Sequence, residues 1–414
     1  MSRKQCLRIF LYLLLLAAVG AFSDWSGGKN SSAAALGAPA GPSTLATPCP
    51  DGTWTHVPSP NVTAYNHVLY SVASTSADNA WAVGTYAPGS SGIMPLIERW
   101  NGTEWAVDSQ QGNLPSGAFL YGVAALSEND AWIVGTAASH TFTAHWDGTT
   151  WSVVPSPNVA NSSNILRYVT MVSHKDVWAV GQVGIDSRGP SLTLHWDGMQ
   201  WTIVPGPVNP SWNQNTVLYG ATAFGSGNVW AVGSHYVSSI RPNEPLSLRW
   251  DGARWQQSDI APVDKNFREY EMRSISGTGP ADIWAVGGCN GSGPCTGGLI
   301  EHWDGSAWSI VPVSNSPGVF SWLYGVTALS ANDVWAVGTT YSAATGTRTL
   351  GLHWDGTSWT QEDTPNPSYA DLNWPHAVAP DRTGGVWAVG EEKEGTVERT
   401  LILRRMGGGC PLPR

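Results

Sequence analysis

Charge is what this sequence has least of. Only 13% of its 414 residues are charged, 21 basic against 31 acidic, for a net charge of −10. Affinity for nucleic acid comes largely from Lys and Arg on phosphates, so this balance argues against such a partner. Long hydrophobic runs are scarce as well. The one near the N-terminus, Ile9 to Phe22, has 14 residues, short of the roughly 20 that a membrane span needs. Arg3, Lys4 and Arg8 precede or open it, and Val19-Gly20-Ala21 offers small residues for cleavage. Residues 1–21 therefore read as a signal peptide, with an uncleaved anchor as the alternative. Cleavage removes three positive charges and no acidic ones, leaving 18 against 31, a net of −13. Residues 22–48, rich in Ser, Gly, Ala and Pro, read as a flexible linker. The chain is expected to be secreted or held at the cell surface, with no membrane insertion after cleavage.

Cysteine is sparse, with five in all, and Cys6 lies in the leader. An even remainder in an exported chain favours disulfides. Cys289 and Cys295 flank one short loop, and Cys49 and Cys410 flank the two ends of the patterned region. A metal site at Cys289 and Cys295 has no His or third Cys nearby in sequence to complete it. Also missing are H-E-x-x-H, G-x-S-x-G and a P-loop. No cofactor is expected, and a non-enzymatic role is favoured over an enzymatic one.

Tryptophan is what the chain has in excess: 24, with 47 Gly and 28 Pro. "WAVG" or "WIVG" begins at Trp81, Trp132, Trp178, Trp230, Trp284, Trp335 and Trp387, at spacings of 46 to 54 residues. Each is preceded by an apolar run such as "LYGVAALS", and six are followed by a hairpin such as "HWDGTTW". Four apolar runs joined by tight Asp, Asn and Gly turns make a four-stranded antiparallel meander. The runs do not strictly alternate, as expected of sheets covered on both faces. Repeats of this length predict an all-β, seven-bladed β-propeller over residues 49–410, with a tail at 411–414. The seventh hairpin lacks its second half: "RTLILRRMG" (399–407) aligns on "RTLGLHWDG" (348–356) and stops. "DGTWTHVPSPN", at the other end of the chain, supplies it, so the N-terminal strand is expected to close the last blade.

Residues 284–308, "WAVGGCNGSGPCTGGLIEHWDGSAW", resemble a kelch repeat, with its Gly-Gly doublet followed by an aromatic strand. The "DGTTW" and "DGTSW" turns are similar to the Asp-box hairpins of sialidase-like propellers. From Pro50 to Met406 the repeats more closely resemble those of tryptophan-rich propellers from secreted bacterial proteins. The resemblance implies the fold and no activity, since propellers host many functions.

Candidate site residues come from departures from the repeat. Twenty Trp occupy repeat positions; of the other four, Trp25 precedes the repeats, and Trp212, Trp322 and Trp374 are placed in the long loops that follow fourth strands. There they would form an aromatic platform for a sugar or a protein. Tyr65, His67, Tyr236, Arg241, Arg268, Glu269 and Tyr270 are further loop candidates. At the start of the first strands the residues read Tyr70, Tyr121, Tyr168, Tyr219, Arg273, Tyr324 and His376, so Arg273 and His376 break a run of tyrosines near the channel mouth. His145, His195, His302 and His353 recur before a Trp and read as repeat architecture. The favoured reading is a monomeric recognition propeller for a glycan or protein ligand. A carbohydrate-active enzyme (glycoside hydrolase or sialidase-like) and a structural extracellular scaffold are the alternatives.

Overall fold

The computed structural model describes residues 52–89, 92–184, 189–207, 215–236, 243–261, 269–290, 298–313, 320–367 and 372–407. Cys49, Cys295, Cys410, Trp212, Arg241 and Arg268 lie outside them, as do the side chains of Cys289 and Glu269.

The chain is all-β, apart from a short 3₁₀ turn at Ser109–Asn113. The repeat is a four-stranded antiparallel meander, seen at Ala118–Ser127, Asp130–Ala137, His140–Trp146 and Trp151–Val153. Six such meanders follow one another from His67 to Glu362. Two junctions between neighbours carry a single parallel bridge, at Asn243 and Glu269 and at Thr347 and Leu372. After them come Leu372–Pro380, Val386–Glu394 and Val397–Arg405. Alongside the last of these lies Trp54–His56, with Trp54 opposite Arg405 and His56 opposite Leu403. First strands pack against first strands around the molecule, and Leu372–Pro380 packs back against His67–Ser76. Sheets stacked face to face about a central channel are a β-propeller arrangement.

Tryptophan holds sheet to sheet. Five second-strand Trp (132, 178, 230, 284 and 387) are each clasped by the third- and fourth-strand Trp of the next unit. Trp132 meets Trp196 at 5.0 Å and Trp201 at 5.1 Å, the second nearly perpendicular. Trp284 repeats this with Trp354 and Trp359 at 4.9 and 5.3 Å. Trp387, in the last unit, is held by Trp100 and Trp105 of the first. Edge-to-face pairs add about 0.5–1.5 kcal/mol beyond the area they bury. The other face of each ring is covered by the His or Arg just before the third-strand Trp. His353 stacks on Trp335 at 4.1 Å and bonds Asp333 at 3.0 Å; Arg404 lies over Trp387 at 4.6 Å. These histidines are architecture, as their recurrence suggests.

At Trp335 the clasp is made differently. Trp54, from the N-terminal strand, takes the fourth-strand place at 5.8 Å. The third-strand place holds Arg405, stacked over Trp335 at 4.1 Å and bound to both carboxylate oxygens of Glu362 at 2.8 and 3.0 Å. A guanidinium offers a flat face much as an indole does.

The hairpin turns are built on their aspartates. Asp147 Oδ1 accepts from the Thr149 hydroxyl and from the amides of Thr149 and Thr150, and these bonds hold its carboxyl at about 2. Gly148, with φ of 94°, supplies the left-handed residue the turn needs.

Two third strands carry a glutamate where the other units have Ala144, Leu194, Leu248, Leu352 or Leu403. Glu98 and Glu301 are both fully buried. Glu301 accepts one bond, from the Ala261 amide at 3.1 Å, and burial pushes its carboxyl up to about 8. Burial also pushes Glu98 well above the usual range, and neither of its oxygens has a hydrogen-bond partner among the described residues. A raised folded-state value means that the native state holds a proton the unfolded chain has released. The contribution of Glu301 therefore turns destabilising as pH rises from about 4.5 to about 8. Glu301→Gln keeps the acceptor and removes the titration. Urea unfolding should show the variant losing about 3 kcal/mol less than the parent between pH 5 and pH 8. Parallel pH profiles would show that Glu301 is ionised in the fold.

Candidate functional site at the central channel

The site begins with the glycine of the "WAVG" repeat. A Cβ on Gly338 would lie 1.9 Å from the carbonyl oxygen of Trp322, in the neighbouring first strand. The equivalent distances at Gly84, Gly135, Gly181, Gly233, Gly287 and Gly390 are 1.8 to 2.0 Å. Only glycine admits that carbonyl. Next to it each first strand carries a bulge that drops one residue from the ladder: Tyr70, Tyr121, Arg167, Tyr219, Arg273, Tyr324 and His376. Bulges re-aim the side chain they leave unpaired. These seven line a central cavity of about 140 Å³.

One sequence assignment is corrected here. Arg167, not Tyr168, holds the ring position of its unit. The bulge spans Leu166 and Tyr168, and Arg167 alone keeps the eleven-residue offset to the second-strand Trp that the other six share. That constant offset was the available signal. Tyr168 takes the next position, which elsewhere is Ser71, Gly122, Gly220, Ser274, Gly325 or Ala377. Small residues there let first strands approach: a Cβ on Gly325 would lie 2.8 Å from the Val378 nitrogen. Where serine stands it bonds across, as Ser71 Oγ accepts from the Val123 amide.

The ring members touch in sequence. Tyr70 lies 5.3 Å from Tyr121 and 5.6 Å from His376, which is 6.0 Å from Tyr324. Arg167 sits over Tyr121 at 4.9 Å and Arg273 over Tyr219 at 4.2 Å. In five units the residue after the "WAVG" glycine faces or bonds the ring residue. Thr85 bonds Tyr70, Ser234 bonds Tyr219 and Thr339 bonds Tyr324. Gln182 accepts from Arg167 at 3.4 Å, and Glu391 lies 3.8 Å from His376 Nε2. Burial lifts the phenols of Tyr70, Tyr121, Tyr219 and Tyr324 above their usual value, so they remain protonated donors. Burial works against the charge of Arg273, but its ion pair with Glu271 and the nearby phenols more than offset this and keep it cationic.

Trp322 and Trp374 are not loop residues. They lie in the first strands Phe320–Ser330 and Leu372–Pro380, two residues before a ring member. Trp374 is buried against Tyr324 and His376, at 5.4 and 5.5 Å. Trp322 packs flat on Gly288, where a Cβ would come within 2.5 Å of its ring, which accounts for the Gly287-Gly288 doublet. They back the ring rather than form a loop platform. His67 is also a correction: it is buried in a strand, stacked on Tyr86, and held below its usual value by burial first. Tyr270 is buried in the strand Glu269–Gly279, and Tyr236 ends the strand Val229–Tyr236. Tyr65 is exposed on its loop, as expected. Among the described residues no three His, Cys, Asp or Glu side chains are grouped as metal ligands.

No protein-family model matches the chain, and no curated protein matches it. Solved structures do. YCF48 bound to a D1 peptide is similar at 15% identity, with a TM-score of 0.53, over 89% of this chain and 99% of that one. A GH74 xyloglucanase from Xanthomonas campestris is similar at 12% identity and 0.52, over 83% of this chain and 54% of its own. A PL25 ulvan lyase is similar at 10% and 0.50, over 86% and 95%. The likeness is one of fold.

If the close approach at the glycine builds the site, Gly338→Ala should expel the Trp322 carbonyl and withdraw Tyr324. A loss of about 3 kcal/mol or more in urea unfolding is expected. Gly112→Ala, with open space around it, should leave stability within about 0.5 kcal/mol of the parent. Equal effects of the two changes would remove the constraint.

Proposed function

We propose that this chain is an exported, non-enzymatic recognition propeller of seven blades, which holds a glycan or protein ligand at the mouth of its central channel. The observation that carries the reading is the ring. Seven bulged positions deliver tyrosine, arginine and histidine to one small cavity, and five of them are backed by a second-strand partner. Aromatic and guanidinium groups on a rigid frame are the usual anchors of recognition surfaces. Export is supported by the basic and apolar leader; among the described residues no helix is long and apolar enough to cross a membrane. The similar structures include one bound to a peptide and two named for polysaccharide-degrading enzymes, which supports a polymer ligand without choosing its class.

Seven blades, the last one shared by both termini, is the closure we favour. The register of Trp54 with Arg405 and the contact of Trp54 with Trp335 support it. Cys49 and Cys410 lie just outside the two paired segments in sequence and would form its covalent lock, with Cys289 and Cys295 as the second pair.

Two measurements test this. Glycan and peptide arrays probed with the full chain should yield a ligand whose affinity falls by about tenfold or more in Tyr121→Ala, while Tyr65→Ala binds as the parent does. A ligand indifferent to Tyr121 would place recognition elsewhere. Deleting residues 49–61 should bare the edge at Leu403 to Arg405 and strip Trp54 from Trp335, giving aggregation or a melt lowered by at least about 10 °C. An unchanged, monomeric melt would rule out closure by this strand.

A further inference from the structure

Three ring members depart from tyrosine, and each is a nitrogen base. Arg167, Arg273 and His376 stand in the third, fifth and seventh units in chain order, so they enter the channel from three sides. Their partners change with them, to Gln182, to Gly288 with Glu271, and to Glu391. Among the described residues Arg167 Nε and Arg273 Nε are buried without a hydrogen-bond partner, and His376 Nε2 has none closer than the Glu391 carboxylate at 3.8 Å. Buried donors in native proteins are nearly always satisfied, so two unsatisfied guanidinium donors at one cavity point to an acceptor that belongs there.

The ion pairs around the channel bear on its charge. Arg273 is neutralised by Glu271, and His376 faces Glu391. Among the described residues no carboxylate pairs with Arg167, whose guanidinium bonds Gln182 and the Tyr121 hydroxyl and lies over the Tyr121 ring. Arg167 thus brings to the channel a positive charge that no ion pair meets among the described residues, which suits an anionic group. We infer that the central cavity is a carboxylate-binding site, in which Arg167 supplies the compensating charge and Arg273 and His376 supply further contacts. The inference rests on the recognition reading and names the chemical group the channel takes. A uronate of a saccharide and a free small carboxylate share that group. The cavity, at about 140 Å³, has room for the group and little more.

The test uses the full chain with acetate, D-glucuronate, D-glucose and sulfate, followed by titration calorimetry and ligand-observed NMR. Acetate and glucuronate should bind and compete with one another, and glucose should not. Arg167→Gln should weaken both by at least about tenfold with its melt preserved. Arg254→Gln, the same charge change on a side chain that is 77% exposed, should bind as the parent does. Glucuronate bound far more tightly than acetate identifies the sugar acid as the source, and equal binding identifies the free carboxylate. Should Arg167→Gln fail to fold, a crystal of the parent grown with glucuronate decides the matter, with the carboxylate expected between Arg167, Arg273 and His376. The site is overturned if neither carboxylate binds at tens of millimolar, if sulfate binds as well, or if Arg167→Gln binds both unchanged. An array ligand without an acidic group, held equally by parent and Arg167→Gln, would remove the carboxylate site and leave recognition standing.

Discussion

A carbonyl oxygen pressed against a glycine is the contact on which the channel depends. In every unit the first strand pushes one carbonyl to within 2 Å of where a side chain would begin on the second strand. That intrusion goes with the bulge, and the bulge frees one residue from the ladder to face the channel. The fourth letter of "WAVG" therefore has a cause distinct from the first. The Trp joins one sheet to the next, and the Gly shapes the inner wall. A motif of four residues serves both the outside and the inside of the ring.

The tryptophan clasp governs the rest. A sheet whose second-strand indole is held by two indoles of the next sheet cannot slide without breaking edge-to-face contacts on both. The exception at Trp335 shows what the clasp requires. Arg405 replaces an indole there with a guanidinium, and Glu362 compensates the charge through two bonds. The need is for a flat group over the ring, not for tryptophan as such. The same reasoning explains why the position before the third-strand Trp is always His or Arg. Both are flat, both stack, and most of them also bond the Asp or Asn near the start of the second strand.

Much of this was legible because repeats amplify a signal. The four-strand unit, the Asp-Gly turns and the histidines of the third strand could each be read several times over. The N-terminal half-hairpin could be read because its partner was missing. What was misread occurs once. Trp322 and Trp374 looked like loop residues because the first strands of those units begin earlier than their apolar runs do. Phe320–Ser330 opens with Phe-Ser-Trp, and Leu372–Pro380 contains two prolines that argue against a strand. Pro375 is tolerated because it sits at the bulge margin, where the ladder is already irregular. Glu98 and Glu301 escaped notice for a related reason: a carboxyl in a leucine position looks like a surface residue until the neighbouring sheet is seen to cover it.

Arg167 shows where function departs from architecture. Reading tyrosines by identity led to Tyr168, whereas reading by the offset to Trp178 leads to Arg167. The difference matters, because a ring of tyrosines backed by Thr or Ser is self-sufficient. Three of the four phenols have a hydroxyl partner, and none carries a charge. Arg167 with Gln182, and His376 with Glu391, are changes made in pairs across two strands. A single drifted residue would leave the old partner behind, as a threonine facing a guanidinium. Here the partner differs as well, so that each base is oriented and its charge is met or left open. Glu271 beside Arg273 is a third case, with the partner taken from the same strand because Gly288 is occupied in seating Trp322. Three coordinated departures around one cavity, placed among four tyrosines at the equivalent positions, set the channel apart from the scaffold that surrounds it.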